Sequence, residues 1–187
     1  MKRINLAAYH PILDVQGHIV FANNGNVIVC YEVELPEVYS LSESDFEAIH
    51  GTWFQGFKSL PVGTIIHKQD IYQKALFDAD GIPKDSFLER ATHEHFKGRE
   101  YIEHNSYLFF VLPYNKSLNV SKFTNPFRSI EKGIFKKMDY QVQEFITSVN
   151  DAVSFINNSR KISLRPLSNE NILRITKSYF NGFNDGF

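Results

Sequence analysis

The dipeptide Asn24-Gly25 restricts the fold of this chain more than any other pair of residues. It stands between two strand-like runs, His18-Ile-Val-Phe-Ala22 and residues 27–35, and offers the positive-φ residues of a tight antiparallel hairpin. In the second run Val27, Val29, Tyr31, Val33 and Leu35 share one face. Ile28, Cys30, Glu32 and Glu34 share the other, which turns polar toward its end. A sheet begun in this way has an apolar face that later elements must cover.

The cover is legible next. Pro36 stops the strand, and Ser42-Glu-Ser-Asp45 has the form of a capping box, with acidic residues suited to a helix N-terminus. Phe46, Ile49, Trp53, Phe57 and Leu60 then recur at spacings of 3, 4, 4 and 3, one helical stripe. Gly51 and Gly56 each weaken that helix by about 1 kcal/mol relative to Ala, so packing has to hold it. Pro61 ends it, and Leu60-Pro-Val-Gly-Thr-Ile-Ile-His-Lys-Gln-Asp-Ile-Tyr72 reads as a strand over residues 63–72 launched from a Leu-Pro turn.

Around this centre the remaining elements are read as follows. Residues 1–16 have weak periodicity and contain Pro11, and are read as an arm along the domain. Residues 77–83 form a loop with a turn at Asp80-Gly81, and a helix is predicted over 84–97 with Gly98 as its C-terminal cap. The run Tyr107-Leu-Phe-Phe-Val-Leu-Pro113 reads as a central strand buried on both faces, followed by a polar loop over 115–125. Met138, Val142, Phe145, Val149, Ala152 and Ile156 form a heptad seam on a further helix. That seam suits either the domain's own sheet or a partner helix. A short segment at 160–165 and a helix opened by Ser168-Asn-Glu170 and running to about Phe180 complete the chain.

The expected fold is α+β: a largely antiparallel sheet in the order hairpin, helix, strand, helix, strand, with helices on one face and two C-terminal helices. Residues 1–130 are assigned to the sheet domain and 131–187 to a helical segment packed on it. The end, Tyr179-Phe-Asn-Gly-Phe-Asn-Asp-Gly-Phe187, sets aromatics among turn residues: either the tail folds back or the chain is cut before the element they pack on, and the second reading is preferred. Val142, Phe145, Val149 and Ile156 with Met138, and Tyr179, Phe180 and Phe183, are the candidate partner contacts.

Composition excludes some classes of function. The chain of 187 residues is 43% hydrophobic and 14% aromatic, enough for a packed core. Its net charge is −1 with dispersed basic residues, so no positive field gathers phosphates and direct nucleic-acid binding is not expected. The single Cys30 has no internal disulfide partner and reads as a buried thiol of a reducing compartment. The N-terminus lacks the apolar core of a secretory signal, and the run 107–112 is far short of the ~20 residues of a spanning helix. A soluble cytoplasmic chain is expected.

Candidate chemistry is thin. Gly51-Thr-Trp-Phe-Gln-Gly-Phe-Lys-Ser59 mimics a phosphate loop but has an extra residue before Lys58, and falls inside the predicted helix. His67 and Asp70 suggest a base and its orienting carboxylate, yet residues three apart on a strand point to opposite faces. His67 is read instead as partly buried beside Ile65 and Ile71. His93, His95 and His104 hint at a metal but lack H-E-x-x-H spacing, and His95 falls on the stripe of Phe87, Leu88 and Ala91. Glu32 and Glu34 share a strand face and read as a solvated edge. No catalytic, cofactor or metal residue is assigned.

Three stretches carry a resemblance: Val33-Glu-Leu-Pro-Glu-Val-Tyr-Ser-Leu-Ser42, Leu60-Pro-Val-Gly-Thr-Ile-Ile-His-Lys-Gln-Asp70, and Phe96-Lys-Gly-Arg-Glu-Tyr-Ile-Glu-His-Asn-Ser-Tyr-Leu108. With Leu167-Ser-Asn-Glu-Asn-Ile-Leu173 and Tyr179-Phe180, the chain resembles the N-terminal domain of TraG-type conjugation ATPases. These are encoded by conjugative transposons of Bacteroides-like bacteria and are related to the large ATPase of type IV secretion. The resemblance implies a non-catalytic assembly domain at the cytoplasmic face of the inner membrane. It would join inner-membrane components of the transfer apparatus to its own ATPase domain, and homo-oligomers are in keeping with it. ATP and magnesium would belong to that motor, whose motifs these residues lack. The alternatives are a small metal-assisted hydrolase using His67, His93, His95 and His104, or a free-standing adaptor.

Overall fold

The computed structural model describes residues 10–78, 81, 85–113 and 139–181. In chain order the elements are β1 (Ile12–Gln16), β2 (Ile19–Ala22), β3 (Val27–Glu34), α1 (Glu43–Lys58), β4 (Ile65–Leu76), α2 (Phe87–Phe96), β5 (Glu100–Leu112), α3 (Asp139–Asn158), β6 (Ser163–Pro166) and α4 (Asn169–Asn181). The strands form one antiparallel sheet in the order β1-β2-β3-β5-β4. β2 pairs with residues 27–29 of β3, and β6 takes the same edge of β3 over residues 31–34. The fold is α+β, as the sequence pattern predicts.

A hairpin forms at Asn24-Gly25, but of the two residues only Gly25 takes positive φ, and its amide donates to the Ala22 carbonyl at 2.9 Å. Gly25 has φ 88°, and the amide of Ala22 donates to the carbonyl of Asn26 at 2.9 Å. The supposed N-terminal arm contributes β1, joined to β2 through Gly17 at φ 61°. Its alternation is too short to show in sequence, and Pro11 precedes the strand without interrupting it.

Because β5 is apolar on both faces, each face of the sheet needs cover. On the first, Val29, Tyr31, Val33, Leu108, Phe110 and Leu164 meet Phe145, Val149, Val153 and Ile156 of α3, and α1 adds Ile49, Trp53 and Phe57. The Tyr31 hydroxyl donates to Asn150 Oδ1 at 3.1 Å, fixing α3 on β3. The two helices cross closely at Gly56, where a Cβ would lie 2.7 Å from Ile156 Cγ1. Lys161 pairs with Asp45, tying the turn after α3 to the start of α1. On the second face Val20, Cys30, Ile71 and Tyr107 pack with Leu167, Ile172 and Ile175.

One expectation is corrected here, and of the two readings of the heptad seam the structure shows the domain's own sheet. Helices lie on both faces, because the Leu167 amide donates to the Cys30 carbonyl at 3.1 Å and the chain passes onto the opposite face, where α4 begins. The heptad seam is the chain's own core. Val142, Phe145, Val149 and Ile156 are 5%, 1%, 0% and 0% exposed, leaving no surface of theirs for a partner helix. Met138, Phe183 and the side chain of Phe180 lie outside the described residues.

Candidate functional site

The pairing of β4 with β5 runs from Ile65↔Val111 to Leu76↔Glu100, whereas β3 accompanies β5 only as far as Val33↔Ser106. Beyond Ser106 the hairpin therefore projects as a two-stranded arm. Where Pro36 carries the chain away from β3, a polar cleft of about 630 Å³ opens beside the base of that arm. Its walls include Glu32, Glu34, Asp70, His104, Ser106 and Arg165.

Strand alternation sets the polar groups of the cleft. Lys68, Asp70 and Tyr72 share the face of Ser106 and His104. Asp70 forms an ion pair with Lys68, and its Oδ1 lies 3.0 Å from His104 Nε2. Tyr72 stacks on the His104 ring with centroids 4.4 Å apart and planes 6° from parallel. Burial alone would push the Asp70 carboxyl up, but hydrogen bonds from Lys68 and His104 outweigh it and hold its pKa at about 2. Arg165 on β6 lies 3.4 Å from Glu34 and 3.8 Å from Glu32, so those carboxylates are bridged across strands.

The Asp70–His104 pair is the feature sequence reasoning missed. The two residues are 34 positions apart, and only the β4–β5 register brings them together. His67 points to the other face, as its spacing from Asp70 requires. It is exposed rather than partly buried, with its ring edge-on to Phe109 at 5.9 Å, because β4 is the outer strand. Among the described residues no three His, Cys, Asp or Glu side chains converge on a metal position, so His67, His93, His95 and His104 do not form one ligand set. The phosphate-loop mimic lies within α1 and the residue after it, its amides engaged in helix bonds.

The arm's outer half exposes apolar side chains around the Lys74–Glu100 ion pair. Tyr72, Leu76 and Ile102 are 66%, 66% and 69% exposed, and the register makes Ile102 a diagonal neighbour of both others on one face. α2, which follows β4, reverses the usual arrangement. Ser86 caps it with a capping box to Glu89, and the residues it turns inward are Glu89, Thr92 and His93, with His93 2% exposed. Phe87 and Leu88 face outward at 79% and 74% exposure. His95, expected on one stripe with them, is exposed as well. Tyr179, the one described side chain of the aromatic tail, is 54% exposed at the end of α4.

No helix among the described residues is long and apolar enough to cross a membrane. A family model described as "Domain of unknown function, B. Theta Gene description (DUF3875)" matches residues 1–51, a stretch that includes β1, β2, β3 and the first part of α1. No curated protein matches the chain.

Proposed function

We propose that this chain is a non-catalytic assembly domain of a TraG-type conjugation ATPase. It holds the motor against inner-membrane components of the DNA-transfer apparatus. The observation that carries the reading is the outward-facing apolar side of α2. A helix that turns Glu89 and His93 inward and exposes Phe87 and Leu88 leaves its apolar surface for another protein. Tyr72, Leu76 and Ile102 on the neighbouring arm are further exposed apolar side chains, although α2 itself meets the arm through Phe96 on Phe77. The resemblance in the three sequence stretches supplies the partner class, and the matched family's mention of B. Theta is in keeping with the Bacteroides-like source of the proteins resembled. In this reading ATP and magnesium act on the motor, and the arm and α2 act as the docking face at the cytoplasmic side of the inner membrane.

The test is conjugative transfer from cells whose protein carries Phe87→Asp and Leu88→Asp. Both side chains are solvated, and substitutions of that kind change stability by only about ±0.5 kcal/mol. DNA transfer and co-purification with inner-membrane transfer proteins are expected to fall at least about tenfold, the equivalent of ~1.4 kcal/mol of binding. Unchanged transfer at normal protein levels refutes the reading.

A further inference from the structure

β4 is the outer strand of the sheet, and among the described residues nothing pairs with its far edge along all 12 residues. Such an edge presents roughly 40 Å of open backbone hydrogen-bonding groups. Proteins ordinarily blunt long edges with bulges, prolines or unmatched charges. β4 has none of the first two, since its register against β5 is unbroken from Ile65 to Leu76. Its central charges, Lys68 and Asp70, are opposite in sign, two residues apart and on one face. That pattern is complementary to itself when read in the reverse direction.

We propose that the chain dimerises through β4, strand to antiparallel strand, about a two-fold axis at Gln69. The occupant of the edge is a second copy. With the axis at Gln69, Lys68 of each copy faces Asp70 of the other, and Ile66 faces Tyr72. These are the two exposed apolar residues that flank the charges on that face, at 36% and 66% exposure. Neighbouring registers are worse. An axis at Lys68 or Asp70 sets like charges against themselves, and one at Ile71 sets Lys68 against Lys74. An axis at Tyr72 places Lys68 opposite Leu76 and leaves Ile65 and Ile66 uncovered. A two-fold normal to the sheet keeps each residue on its own face, so the two sheets continue as one. This inference goes beyond the assembly reading: the two share Tyr72, but the dimer rests on the edge of β4 and α2 takes no part in it.

Sedimentation of the wild-type chain is expected to show a concentration-dependent dimer. Lys68→Asp and Asp70→Lys each create two like-charge pairs and weaken it at least tenfold, and the double exchange restores it. Directly opposed antiparallel residues have Cα atoms ~4.5–5.5 Å apart, within disulfide reach. Oxidation therefore links the Gln69→Cys variant as a dimer and does not link the Tyr72→Cys variant. Cys30 does not compete, being buried. Phe87→Asp with Leu88→Asp leaves the dimer intact, which separates this test from that of the assembly reading. Three results would each overturn the proposal: a monomer at every soluble concentration, a dimer indifferent to Lys68→Asp, or oxidative cross-linking of the Tyr72→Cys variant in place of the Gln69→Cys variant. Gln69→Cys decides the matter even if Asp70→Lys fails to fold.

Discussion

Gly51 and Gly56 stand on the same helix and have opposite consequences. Nothing lies within 4 Å of a Cβ built on Gly51, whereas one on Gly56 would meet Ile156 Cγ1 at 2.7 Å and Cδ1 at 2.8 Å. Ile156 is fully buried and has nowhere to retreat. Gly51→Ala is therefore expected to stabilise the protein by up to ~1 kcal/mol through helix propensity. Gly56→Ala should cost about 1–3 kcal/mol through overpacking. Urea midpoints of the two variants check both, and a stabilising Gly56→Ala would show that α1 and α3 do not meet there. Asp70 gives a pH-dependent case. Its folded pKa is near 2, below the ordinary carboxylate value, so the stability it contributes is present above about pH 4 and fades as pH falls toward 2. Asp70→Asn should lower the urea midpoint at pH 5, and the gap to wild type should narrow steadily as pH falls from about 4 toward 2. A gap independent of pH would mean that the charge of the carboxylate is not what matters.

At the scale of elements, what sequence can and cannot show divides by locality. The capping box of α1 is legible because all its atoms lie within four residues, and the Asp45 carboxylate accepts from the Ser42 amide at 3.0 Å. Ser42→Ala is expected to cost about 0.5–2 kcal/mol, measured as a loss in thermal or urea stability. The seam of α3 is legible as a seam but not as a core, since heptad spacing says that a face is apolar and not what it meets. Phe145→Ala should cost about 3–5 kcal/mol, as for any buried aromatic. A surface seam awaiting a partner would lose almost nothing. α2 misleads for a related reason. An apolar stripe is expected to point inward, and the structure turns His93 inward instead. The Asp70–His104 contact has no local signal, because it depends on a register set by the 23-residue connection between β4 and β5.

For the whole molecule, β3 and β5 decide how the parts behave together, because each supplies side chains to both faces of the sheet. Tyr31 and Phe110 belong to the α3 side, while Cys30 and Tyr107 belong to the α4 side. A strand cannot release one face without loosening the backbone of the other, so the two cores should open as one unit. Cys30 reports on this directly. Its thiol is 2% exposed and burial pushes its pKa up to about 12, so a thiol reagent reacts only when the sheet opens. Ile175→Ala removes a residue from the cluster around Cys30, whereas Phe145→Ala acts on the opposite face. Under conditions where reclosing outpaces labelling, each variant should speed Cys30 labelling in proportion to its own loss of stability, by about 30-fold for 2 kcal/mol. If Phe145→Ala destabilises the protein yet leaves the labelling rate unchanged, the two faces open separately, and the shared strands do not couple them.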